Sequence, residues 1–196
     1  MPLGAHKAAI MGTAGVSTAE IVLIQSQTAD DDSTISFTSG ITSAYKEYIF
    51  RFYNINPATD GTTFQFQVST DGGSSYGLTI TASAFASYHT ESNSATFLGY
   101  RTDADLAQAT TYQTIMGDSL QGDADASGSG EMHLFNPSST TYVKHFYSRT
   151  NFIFGADYAW NSYIGGYVNS TSDIDAVQFK MASGNFDGII KLWGIP

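Results

Sequence analysis

Along most of the chain, hydrophobic and polar residues alternate with a period of two. Phe64, Phe66 and Val68 alternate with Gln65, Gln67 and Ser69, the pattern of a strand with one buried and one solvated face. Val177, Phe179 and Met181 oppose Gln178 and Lys180 in the same way, and Ile190 and Leu192 flank Lys191. Tyr48, Phe50 and Phe52 alternate with Ile49, Arg51 and Tyr53, so both faces of that segment are fairly apolar. The same reasoning predicts strands at Ile35–Phe37, Gly77–Thr81, Glu131–Phe135, Tyr142–Ser148, Tyr158–Val168, Ala176–Met181 and Ile189–Trp193, and Ile21–Ile24 is strand-sized.

Turn residues separate these runs. Asn56-Pro57 with Thr59-Asp60-Gly61, Asp71-Gly72-Gly73, Asn136-Pro137-Ser138-Ser139, and Ser183-Gly184-Asn185 with Asp187-Gly188 all lie between strand-like segments. Gly, Asn and Asp tolerate positive φ, and Pro presets φ for a turn. Many short strands at this spacing predict an all-β, antiparallel, jelly-roll-like β-sandwich. Asp103–Met116 departs from the pattern: Asp103 can cap a helix, Thr110, Thr111 and Gln113 weaken one, and helix and loop both stay open. Residues 117–130, GDSLQGDADASGSG, read as a flexible acidic surface loop near the middle of a single domain spanning 21–196. Residues 1–20 are rich in Ala, Gly, Ser and Thr and hold one carboxylate, Glu20. They read as an N-terminal arm that packs on its own domain or on a neighbouring subunit. The weakly hydrophobic run Ala8–Ala19, interrupted by Gly12 and Gly15, reads as part of the mature chain rather than a signal peptide.

Composition narrows the function. The 196 residues include 13 Phe, 12 Tyr and 2 Trp, ample for a core that needs no disulfide or metal staple. There is no Cys, hence no thiolate zinc site and no Cys nucleophile. Charged residues make up 13%, with a net charge of −10. That balance argues against nucleic acid as a partner and against a polybasic membrane-surface protein. No apolar run approaches the roughly 20 residues of a membrane-spanning helix.

Candidate chemistry is sparse. His6, His89, His133 and His145 form no close ligand pair, although His133 and His145 fall in predicted strands and could meet across a sheet. Gly73-Ser74-Ser75-Tyr76-Gly77 fits G-x-S-x-G, but a strand follows the turn where a nucleophile elbow requires a helix. Asp123, Asp125 and Ser127 resemble the start of a calcium loop, yet Leu134 stands where the bidentate Glu belongs, and Asp30-Asp31-Asp32 is a second oxygen-rich cluster. Solvated acidic turns explain both. Glu is limited to Glu20, Glu47, Glu91 and Glu131, and no phosphate-binding loop occurs. The chain reads as a non-enzyme with no catalytic residues, no metal site and no cofactor.

The chain resembles a family of small jelly-roll structural proteins of tailed bacteriophages, common in phages of aquatic bacteria. The stretches that carry the resemblance are Tyr45-Lys46-Glu47-Tyr48-Ile49-Phe50-Arg51-Phe52 followed by Asn54-Ile55-Asn56-Pro57-Ala58-Thr59-Asp60, then Ser69-Thr70-Asp71-Gly72-Gly73-Ser74-Ser75-Tyr76. Leu134-Phe135-Asn136-Pro137-Ser138-Ser139, Ile174-Asp175-Ala176-Val177-Gln178-Phe179 and the ending Ser183–Ile195, with its G-x-I-x-L-x-G-I pattern, complete it. The resemblance implies a place in a virion, at the particle surface, and no reaction. Its first expectation is a capsid decoration (cement) protein, a homotrimer that bridges subunits of the major capsid protein and other virion proteins. Leu3, His6, Lys7, Ile10 and Met11 would then anchor the arm. The alternative is a tail, fibre or baseplate component that binds a host surface glycan. Candidate recognition aromatics are Tyr88, Tyr100, Tyr112 and Trp160, with Phe152 and Phe154 beside them. A cellular carbohydrate-binding module fits the composition but not the resemblance.

Overall fold

The computed structural model describes residues 20–155 and 157–196. The anchoring residues expected in the arm, Leu3, His6, Lys7, Ile10 and Met11, lie outside them. Thirteen strands and no helix form among the described residues. In chain order they are β1 (Val22–Asp32), β2 (Thr34–Phe37), β3 (Glu47–Pro57), β4 (Thr62–Ser69), β5 (Ile80–Thr90), β6 (Thr96–Tyr100) and β7 (Leu106–Ala109). Then come β8 (Gln113–Leu120), β9 (Gly128–Phe135), β10 (Lys144–Phe154), β11 (Tyr158–Val168), β12 (Ala176–Met181) and β13 (Phe186–Ile195).

Two antiparallel sheets result. The larger has the order β1–β13–β3–β9–β10–β11–β5, with β6 and β7 sharing the free edge of β5. The smaller has the order β2–β12–β4–β8. Phe154 at the end of β10 pairs with Leu120 at the end of β8 and joins the sheets on one side. On the other, Gln27 Nε2 in β1 donates to the carbonyl of Ser36 in β2 at 2.9 Å. The fold is the expected all-β, jelly-roll-like sandwich, closed almost to a barrel.

The alternating residues meet between the sheets. Phe179 of β12 is the hub. Its ring lies 5.1 Å from Phe50 and 5.3 Å from Phe52, both of β3 across the sandwich, and 5.8 Å from Phe64, 6.4 Å from Phe66 and 6.2 Å from Phe37. All six are essentially fully buried. Most of these contacts are edge-on or tilted, the arrangement that the ring quadrupole favours.

Buried polar groups tie the loops to this core. Tyr48 Oη donates to the carbonyl of Thr42 and accepts from its amide, both at 2.7 Å, fixing the segment before β3. Gln67 Nε2 donates to the carbonyls of Leu78, Thr110 and Thr111, binding two connections to β4. Lys144 is buried, and its Nζ donates to the carbonyls of Ser170 and Ser172 at 3.1 and 2.5 Å. Burial pushes its pKa below the usual lysine value, and Asp173 opposes the shift.

Two sequence expectations change. Asp103–Met116 is neither helix nor plain loop: Leu106–Ala109 pairs with β5, and from Gln113 onward the chain pairs with β4. β-Branched Thr114 and Ile115 suit a strand, and buried Gln113 satisfies its Nε2 on the carbonyls of Ala104 and Thr114. In the region expected to be a flexible loop, residues 117–130, β8 persists to Leu120 and β9 begins at Gly128. The intervening turn is pinned by Asn56 Nδ2, which donates to the carbonyls of Asp123 and Ala126. Small residues here permit close packing: a Cβ on Gly128 would lie 2.6 Å from Met116 Sδ.

Replacing Phe179 by Ala removes the ring that both sheets share. Urea unfolding of F179A is expected to show a loss of about 3–5 kcal/mol, and a loss below about 1 kcal/mol would contradict the hub role.

Candidate functional site

The smaller sheet covers one face of the larger sheet. The opposite face is open, and strand register arranges its side chains in rows. One row crosses β13, β3, β9, β10, β11, β5 and β6 as Lys191, Arg51, Glu131, Arg149, Tyr163, Phe85 and Tyr100. The next runs Trp193, Ile49, His133, Tyr147, Gly165 and Ser83. Side chains opposite one another on paired strands stand about 5 Å apart and interact directly.

Cations and rings interleave on this face. Arg51 lies over Trp193 at 5.7 Å, Lys191 over Tyr53 at 5.3 Å and Arg149 over Tyr163 at 5.6 Å. Tyr163 stacks in turn on Phe85, with centroids 4.8 Å apart and planes 6° from parallel. Arg51 Nε also pairs with Glu131 at 3.4 Å. Arg149 has no ion-pair partner among the described residues. His133 is held between two carboxylates, with Nδ1 2.5 Å from Glu47 and Nε2 3.5 Å from Glu131, and it stacks on Tyr147 at 4.4 Å. Burial, with Glu47 and then Glu131 nearby, raises the Tyr147 phenol above its ordinary pKa.

Arg149 stands between two hollows. On one side a depression of about 430 Å³ is lined by Arg51, Tyr53, Ser129, Glu131, Asn151 and Asn161. On the other a slot of about 350 Å³ is walled by Tyr147, Tyr163 and Phe85, with Ser83 and Gly165 at its base. The slot continues over Gly165 into a further hollow bounded by Tyr100, Asp105 and Tyr167. Tyr100 donates to Asp105 at 2.8 Å, which raises its pKa and fixes its ring.

Gly165 and Gly166 occupy the middle of an eleven-residue strand for different reasons. A Cβ on Gly166 would lie 2.4 Å from the carbonyl oxygen of Thr81, so packing against β5 requires glycine there. A Cβ on Gly165 would meet nothing within 4 Å. Neither packing nor positive φ demands Gly165. Glycine weakens a strand interior and often marks a place where a ligand or another backbone approaches closely.

The aromatics expected to recognise a ligand divide. Tyr100 is 56% exposed and borders the further hollow beyond Gly165, not the slot itself. Trp160 is not on the surface: it is 3% exposed, on the inner face of β11, stacked with Tyr88 at 5.1 Å and Phe154 at 4.7 Å. Tyr88 and Phe154 are part of that stack and partly buried, and Phe152 is buried. Arg101 lies over Trp160 at 4.8 Å, and its hydrogen bonds to Asp103 hold that carboxyl below its usual pKa. Tyr112 is half-buried on the smaller sheet, bonded to Gln178 under Lys180. The residues that form the open face, Tyr147, Tyr163, Phe85, Arg149 and Gly165, were missed. The signal was the alternation in Lys144–Phe154 and Tyr158–Val168, where Tyr147, Arg149, Tyr163 and Gly165 occupy the outward positions.

The other motifs dissolve into turns. Ser69 Oγ donates to Asp71, as does Ser75 Oγ of the G-x-S-x-G match, and these bonds, the first above all, hold the Asp71 carboxyl down to about 2. His145 stands two residues out of register with His133, on the strand position opposite Tyr167. Among the described residues no group of three or more His, Asp or Glu side chains could hold a metal ion.

Thermal unfolding separates the two glycines. Gly165→Val is expected to keep or raise the midpoint, by up to about 1 kcal/mol of stability. Gly166→Val is expected to lose about 1–3 kcal/mol by overpacking. Equal losses would contradict this account of Gly165. Neither a family model nor a curated protein nor a solved structure matches the chain, so its own geometry carries the functional argument.

Proposed function

We propose that the chain is a structural protein of a tailed-bacteriophage particle, displayed on the head surface as a decoration protein. In this reading it binds the assembled major capsid protein lattice as a homotrimer and stabilises the lattice by mass action, because it binds the assembled state and not the dispersed subunits. The observation that supports it is where apolar residues are left exposed. At the β1 edge Ile21 and Leu23 are each 46% exposed, and at the β6 edge Leu98 is 75% exposed with Phe97 beside it. Open sheet edges that carry apolar side chains are surfaces for joining other chains. Two such edges on opposite sides of one sandwich suit a protein set into a lattice.

A second reading is a tail, fibre or baseplate component that binds a host surface glycan. The open face favours it: aromatic walls beside Asn, Ser and Arg side chains are the chemistry that sugars require. Copy number in purified virions, measured by quantitative mass spectrometry against the major capsid protein, separates the two. A ratio near one is expected for decoration. A ratio of a few per cent points to the tail, and absence from virions would overturn both.

A further inference from the structure

The open face is chemically unlike the rest of the molecule. The chain carries 8 Lys and Arg against 18 Asp and Glu. Yet Lys191, Arg51 and Arg149 stand in one row with a single intervening carboxylate, Glu131, which Arg51 already engages. Arg149 is exposed, carries no ion pair among the described residues, and is held by stacking on Tyr163. A guanidinium fixed in this way presents its paired N–H groups to a carboxylate without further ordering. Beside it lie the amides of Asn151 and Asn161 and the hydroxyl of Ser129 on one side, and the slot over Gly165 on the other.

We propose that this face binds an acidic polysaccharide, a chain of sugars bearing carboxylates. Arg149 takes a sugar carboxylate, the amides and tyrosyl hydroxyls take ring hydroxyls, and the empty volume above Gly165 admits a sugar ring between Tyr147 and Phe85. A nucleic acid is a poorer fit. Single strands bind by stacking bases on open aromatic faces. Here Tyr163 is covered on both faces, by Phe85 and Arg149, and Tyr147 keeps only its slot-facing side, so the face offers no run of open rings for successive bases. The inference deepens the glycan-binding reading and rests on it.

The test is affinity electrophoresis of the full chain through gels containing polygalacturonate or its fully methyl-esterified, uncharged form. Anisotropy with a labelled single-stranded oligonucleotide runs alongside. Retardation by polygalacturonate is expected, with the ester at least roughly tenfold weaker. Arg149→Met is expected to weaken binding roughly tenfold and Gly165→Val to abolish it. Lys180→Met, which removes a cation from the smaller sheet, is expected to change nothing. Equal retardation by the ester would overturn the acidic class while keeping a glycan binder. No retardation by either polymer would overturn both. Equal losses in Arg149→Met and Lys180→Met, or an oligonucleotide bound as tightly as polygalacturonate, would reduce the effect to general charge and overturn the site.

Discussion

The structure depends on one packing constraint, the burial of the Phe179 ring between sheets of unequal width. The ring belongs to the smaller sheet and touches Phe50 and Phe52 of the larger one. Each strand of a sheet buries one face at most against its partner sheet. Once Phe50 and Phe52 point inward to Phe179, Arg51 and Tyr53 must point outward. The same alternation on β9, β10 and β11 fixes the outward positions of Glu131, Arg149 and Tyr163. The open face follows from how the core is filled.

The unequal width has a second consequence. Four strands cannot cover the whole inner surface of the larger sheet, and the inner face near β5 closes over itself instead. Trp160, Tyr88, Tyr158 and Phe97 form a stack there, running from the core to the edge, with Arg101 laid over the indole. The β6 edge is left partly apolar, as is the start of β1 at the far side. Register puts Leu23 beside Trp193 and Leu98 in the row of Asn161 and Asn151, so both stand on the open face at its two margins, with Arg149 between them.

Much of this was legible in the amino-acid sequence, and the failures have physical causes. Segments with a clean period of two, such as Phe64–Val68 and Val177–Met181, pair as strands in the expected way. β5 was visible only at its start, because Ala82, Ala84 and Ala86 bury little and mask the alternation. β8 was obscured because Gln113 is buried by its hydrogen bonds rather than by an apolar side chain. The site was harder still. Trp160 and Tyr147 are both aromatic residues in strands of the same sheet. Only the parity of strand position sends one inward and the other outward, and a one-residue error inverts that choice. Parity sets Gly165 outward and Gly166 inward, but that only Gly166 must be glycine depends on the backbone of β5, which the sequence alone does not reveal.

The central claim is that the two margins of the open face, at β1 and β6, join other chains while its centre around Arg149 stays open. Hydroxyl-radical footprinting of intact particles, compared with the isolated protein, tests it directly. The account predicts that Leu98 and Leu23 are protected on the particle while Tyr147, Tyr163 and Phe85 are oxidised as in the free chain. Protection of those three rings with free labelling of Leu98 and Leu23 would contradict it, and would make the centre of the open face the attachment surface.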